Sequence, residues 1–108
     1  MSTAPLPLEI DANGLHTLER NNLDRAFVDV RTFAEVARAP AGDSPNIPLN
    51  MLPQYLDKLP DVDHLVIICA HGARSLMAAQ WLRQNGFNTA QSLRGGMASW
   101  HQYCALSA

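Results

Sequence analysis

Residues 65–75, L-V-I-I-C-A-H-G-A-R-S, constrain this chain more than any other segment. The apolar run 65–69 is of the kind found in strands covered on both sheet faces. A break at Gly72 follows, and then the strongest helical pattern of the sequence, from Ser75 to about Asn85. In it Leu76, Ala79 and Leu82 share a face, Met77 and Trp81 lie beside them, and Gly86 stands where a left-handed cap belongs.

The remaining segments repeat this alternation. Residues 8–10, after Pro5 and Pro7, read as a short edge strand, since proline lacks the donor a central ladder requires. Asp11 caps a helix to about Arg20, with Leu15 and Leu18 on one face. Residues 26–30 read as a buried strand. Thr32 with Glu35 matches a capping box opening a helix that Pro40, Gly42 and Pro45 keep short. Residues 47–49 read as a further strand, shortened or held at an edge by Pro48. A helix is predicted over 51–59, with Pro53 in its first turn. Residues 89–93 give a fifth strand, Gly95–Gly96 a turn, and 97–104 a last helix. Strand and helix alternate about five times in 108 residues, which predicts one α/β domain over 1–108. It has three layers, a mainly parallel five-stranded sheet with helices on both faces. In such sheets the ligand binds beyond the carboxyl ends of the strands.

Composition narrows the function classes. Eight basic residues against ten acidic ones give a net charge of −2, no footprint for nucleic acid or an anionic membrane. Two cysteines are too few for a disulfide scaffold or a four-thiolate metal site. The start, M-S-T-A-P-L-P-L-E-I, lacks the charged and apolar pattern of a secretory signal, and no stretch is long enough to span a bilayer. The expectation is a cytoplasmic protein in which each thiol is explained singly.

Cys69 is the thiol with surroundings. A tight loop between a buried strand and a helix N-terminus points successive N–H groups inward as a nest for an anion. The helix dipole adds about half a positive charge there. A thiol in such a cradle ionises more easily, and the thiolate is the nucleophile. Gly72 permits a positive φ or a close backbone approach, and Arg74 offers a planar fork to an oxyanion. Alone, a cysteine ending an apolar strand reads as a small buried hydrophobe. Glycine, arginine and serine at fixed offsets before a strong helix turn the reading to a nucleophile.

Residues 69–75, C-A-H-G-A-R-S, resemble the active-site loop of single-domain rhodaneses, which are sulfurtransferases. Three further segments agree in order: V-D-V-R at 28–31 with Glu35 following, N-I-P-L at 46–49, and L-R-G-G-M-A-S-W at 93–100. The resemblance spans about residues 8–103. It implies a rhodanese-like fold and a persulfide on Cys69, held by the backbone N–H groups of Ala70, His71, Gly72, Ala73, Arg74 and Ser75. Arg74 and His71 would meet the donor's oxyanion or carboxylate. The implied reaction moves a sulfane sulfur from thiosulfate or a related persulfide donor to a thiol, cyanide or a protein cysteine. It needs no metal and no organic cofactor. One segment departs from the family: residues 39–45 read A-P-A-G-D-S-P where a glycine–histidine–hydrophobe turn is usual, and the resemblance sets this connection beside the active site.

Two rivals share these features. Cysteine-dependent phosphatases and arsenate reductases use a similar but longer loop; here four residues separate Cys69 from Arg74, a cradle suited to one sulfur atom. A non-catalytic sulfur-carrier, sensing or binding module on the same fold has little reason to keep Cys69. The other residues read more plainly. Cys69 and His71 alone do not make a metal site. His16, His64 and His101 read as surface or helix-face residues, and Trp81 and Trp100 as packing. Arg31 and Glu35 are spaced to pair, with Asp29 bracing the neighbouring loop. Gly95–Gly96 reads as a turn whose place beside the loop helps shape the pocket, and Cys104 as structural and inert, open to oxidation only if exposed. The small side chains of Ala70 and Ala73 predict an open mouth above the loop.

Overall fold

The computed structural model describes residues 5–108; residues 1–4, part of the predicted domain and of the start read for a secretory signal, lie outside them. Strand β1 (Glu9–Ile10) is followed by α1 (Ala12–Arg20), β2 (Arg25–Asp29) and α2 (Phe33–Arg38). A 3-10 helix (Leu49–Lys58), β3 (His64–Ile68), α3 (Ala73–Gln84), β4 (Ala90–Leu93) and α4 (Gly96–Leu106) complete the chain. The strands form one parallel sheet in the order β1-β4-β3-β2.

Alternation along β3 explains the layers. Leu65 and Ile67 point into one core with Val28, Val30, Leu52 and the α3 residues Ala78, Ala79 and Leu82. Val66 and Ile68 point the other way, to Leu15 and Leu18 of α1 and Trp100 and Tyr103 of α4. Successive strand residues face opposite sides, so a strand covered on both must be apolar throughout. Trp100 meets Phe27 edge-on at 5.2 Å between ring centres. The two predicted caps form: Asp11 accepts the Gly14 N–H at 2.8 Å, and Thr32 and Glu35 close a capping box.

The sheet has four strands, not the predicted five. Residues 47–49 do not make a strand; only an isolated bridge, Asp29 to Asn46, marks its place beside β2. Three backbone hydrogen bonds survive, from Asp29 N to Pro45 O, Ile47 N to Asp29 O and Leu49 N to Val30 O. Pro45 and Pro48 flank the bridge without an N–H to give, and the Asn46 side chain donates to the carbonyls of Asp29 and Arg31. The segment predicted as an ordinary helix over 51–59 is instead a 3-10 helix, broken at Tyr55 (φ −120°, ψ 15°). Pro53 inside it cannot donate, which favours the tighter, shorter turns. Among the described residues no helix is long and apolar enough to cross a membrane.

Candidate active site

The carboxyl end of β3 lies inside the sheet, between β4 and β2. Cys69 follows it directly, 1% exposed, and the chain turns through Ala70 and His71 to Gly72, which caps α3. Gly72 has φ +103°, a conformation that L side chains rarely adopt, and no capping side chain serves the helix. The sulfur takes that place. Cys69 Sγ accepts the N–H of Gly72 at 3.0 Å and that of Ser75 at 3.3 Å, and lies 3.2 Å from Ser75 Oγ. Ser75 is the third residue of the helix, a position whose N–H a capping side chain ordinarily satisfies. Burial pushes the thiol up, but the Ser75 hydroxyl and the amides of Ser75, Gly72 and His71 together hold it below its ordinary value. The result is a buried sulfur prepared to carry negative charge.

His71 and Ala73, on the rim, are exposed, whereas Gly72 and Ser75 are buried. These rim residues face solvent, and the sulfur sits buried beneath them. Arg74 does not offer a free fork: its two terminal nitrogens bind Glu35 at 2.7 and 2.9 Å. Each side chain keeps about a third of its surface in solvent. The Arg74 guanidinium holds the Glu35 carboxyl at about 2, with the Thr32 N–H adding to the effect. The predicted Arg31–Glu35 pair is accordingly not made. Arg31 turns inward instead, binding Asp29 bidentately with Nη2 to Oδ2 at 2.8 Å, and its Nη2 also donates to Ala39 O at 2.7 Å. Asp29 is fully buried, so the brace predicted for it exists, with Arg31 as its partner.

That brace also explains the divergent connection. Residues 39–45 are tied at one end by Ala39 to Arg31 and at the other by Pro45 to Asp29. Between them Ala41 is buried and Gly42 lies against the Trp100 ring. The connection is thus packed onto the α1–α4 core.

A second turn supports the first. Met97 N donates to Ala70 O at 3.0 Å, and a Cβ on Gly96 would collide with the carbonyls of Ala70 and Cys69. Gly95–Gly96 is more than a turn: it is the floor on which the cysteine loop rests. The family model for the rhodanese-like domain matches residues 14–103. The chain belongs to the rhodanese-like domain family.

Rhodanese-like relatives cover nearly its whole length. A sulfurtransferase of Allochromatium vinosum is 34% identical over 95 residues, 88% of this chain and 89% of that protein. A rhodanese-related protein from Thermoplasma volcanium superposes with a TM-score of 0.74 at 30% identity, over 89% of this chain and 92% of that one. The human single-domain sulfurtransferase TSTD1 superposes with a TM-score of 0.78 at 25% identity, over 90% and 97%. The rhodanese-like relatives of this chain thus include sulfurtransferases.

Sequence reasoning had not singled out Ser92. It comes from β4, is fully buried, and its Oγ lies 2.7 Å from Ser75 Oγ. Spacing could not have found it, because 17 residues separate the two and only the β3–β4 pairing joins them. His64 opens β3 and binds Gln91 Oε1 at 2.8 Å, so it is neither a free surface group nor on a helix. Cys104 is exposed on α4 with a free thiol.

Proposed function

We propose that this rhodanese-like protein is a sulfurtransferase that carries sulfur as a persulfide on Cys69. The observation that supports it is the convergence of the Gly72 and Ser75 N–H groups and the Ser75 hydroxyl on one buried sulfur. In the first displacement the Cys69 thiolate attacks the outer sulfur of thiosulfate or a related persulfide donor. The donor S–S bond breaks, its electron pair leaves with the first product (sulfite from thiosulfate), and a new S–S bond forms on Cys69. In the second, cyanide, a small thiol or a protein cysteine attacks the outer sulfur and Cys69 returns as thiolate. Each step is a thiolate displacement, and the pair is ordinary covalent catalysis.

The backbone N–H groups of the loop, Ala70 to Ser75, are the ones proposed to hold the outer sulfur, with charge-assisted hydrogen bonds to a persulfide anion. His71, exposed at the rim, is proposed to meet the donor's oxyanion. Arg74 contributes its positive charge from a position that Glu35 fixes. A single domain over 1–108 acting in the cytoplasm completes the proposal. A panel of thiosulfate, mercaptopyruvate and glutathione persulfide, scored by mass on the Cys69 peptide, tests it. At least one donor adds about 32 Da, one sulfur atom. Failure of every sulfane donor to do so refutes the transferase.

A further inference from the structure

Three hydroxyl and carbonyl groups crowd behind the Cys69 sulfur, and their protons can be counted. Ser75 Oγ has three neighbours: Cys69 Sγ at 3.2 Å, Gly72 O at 3.2 Å and Ser92 Oγ at 2.7 Å. Ser75 itself has one hydroxyl proton, and Gly72 O is only an acceptor. Ser92 is fully buried, and among the described residues its hydroxyl meets no polar atom besides Ser75 Oγ. An unpaired buried hydroxyl is costly, so the Ser92 proton belongs on Ser75 Oγ. The Ser75 proton is then left to Gly72 O or to the sulfur.

We propose that Ser92 is a positioning residue for the nucleophile, its hydroxyl donating to Ser75 Oγ and so freeing the Ser75 proton to follow the charge on Cys69. While Cys69 is a thiol, its S–H donates to Ser75 Oγ and Ser75 donates to Gly72 O. When the thiol proton has left to solvent, the Ser75 hydroxyl turns and donates to the sulfur anion. Gly72 O is not stranded by this turn, because the Leu76 N–H also donates to it at 3.2 Å. A donated bond from Ser92 polarises the Ser75 hydroxyl and strengthens the one it gives. Both side chains are buried away from the exposed rim, and neither hydroxyl needs to touch a sulfur donor.

The proposal builds on Cys69 as nucleophile, yet its test requires no sulfur transfer. The charged groups around the sulfur are Arg74, held by Glu35, the Asp29–Arg31 pair on the β2 side, and the ionisable His71 on the loop. Substitution at Ser92 changes none of them. Alkylation of Cys69 by iodoacetamide is followed across pH on the Cys69 peptide, with Cys104 as an internal reference. Ser92→Ala is expected to move the Cys69 profile to higher pH, with about three- to tenfold slower alkylation below the parental midpoint. Ser75→Ala moves it at least as far, and adding Ser92→Ala to Ser75→Ala moves it no further. A role confined to packing would lower the melting temperature and leave the pH profile alone. Ser92→Thr and Ser92→Val, alike in shape, separate the hydroxyl from the volume: threonine keeps the parental profile and valine does not. A parental profile for Ser92→Ala, or an equal further shift in the Ser75→Ala background, overturns the proposal. A shifted profile with no persulfide from any donor instead refutes the transferase reading and leaves this one standing.

Discussion

Two turns in this protein are built alike and do different things. After β3 the chain reaches a left-handed glycine, Gly72 at φ +103°, and starts α3; after β4 it reaches Gly95 at φ +85° and starts α4. Neither helix has a side-chain cap, so each begins with N–H groups seeking acceptors. The first turn directs two of them at the sulfur of Cys69, which directly follows the preceding strand. The second has no such acceptor of its own, and gives the Met97 N–H to Ala70 O in the first turn. The backbone device is therefore the same, and what it becomes depends on the residue that the strand delivers to it. With a thiol in reach it is a chemical site; without one it is a support.

The comparison breaks most visibly at the thiol itself. Cys69→Ser should lower sulfur transfer by at least about a thousandfold, measured as thiocyanate from a sulfane donor and cyanide. Retained activity would mean that the first turn is no site. The dependence of one turn on the other is sharpened by Gly96→Ala. Backbone strain at φ +59° costs about 1–3 kcal/mol. The new methyl group also pushes the Ala70 and Cys69 carbonyls away. A lower melting temperature and a loss of transfer of roughly a hundredfold are expected. A destabilised variant with full transfer would show that the support is not needed.

A smaller effect separates the turns by charge, since the first is braced by a two-armed ion pair, Arg74 with Glu35 at 2.7 and 2.9 Å, whereas Arg94 of the second meets Asp11 through a single, longer contact of 3.6 Å. Glu35→Gln keeps a side chain able to close the capping box while removing the charge. The Glu35 carboxyl is depressed to about 2, so its contribution to stability is fully present above the ordinary glutamate value of about 4.3 and is lost as pH falls through 2. Melting temperatures of parent and variant should differ at neutral pH, modestly for a pair this exposed, and converge at the acid end. A gap that persists below pH 2 would assign the effect to shape. The smallest effect is at Cys104. It is exposed, and Cys104→Ser should leave transfer intact and stability within about 0.5 kcal/mol.

Much of this was legible in the sequence wherever the cause was local. The apolar run of β3, the two caps at Asp11 and Thr32, and the cysteine–glycine–arginine–serine spacing are short-range patterns, and the structure carries each of them. The lost fifth strand was legible in part, because Pro48 argued for an edge, but not the way the Asn46 side chain donates to the carbonyls of Asp29 and Arg31. What escaped was pairing across space. Arg31 and Glu35 are well spaced for each other, yet a buried Asp29 and the fork of Arg74, 39 residues away, are better partners. Ser92 matters because β4 lies next to β3, a fact of topology rather than of spacing.

The contrast between the two turns rests on sulfur being held at one place. The most direct measurement is peptide mass mapping after incubation with thiosulfate or another sulfane donor, then again after cyanide. The account predicts an added mass of about 32 Da on Cys69 that cyanide removes, with Cys104 unchanged. An adduct on Cys104 alone, or none on either thiol with any donor, would contradict it.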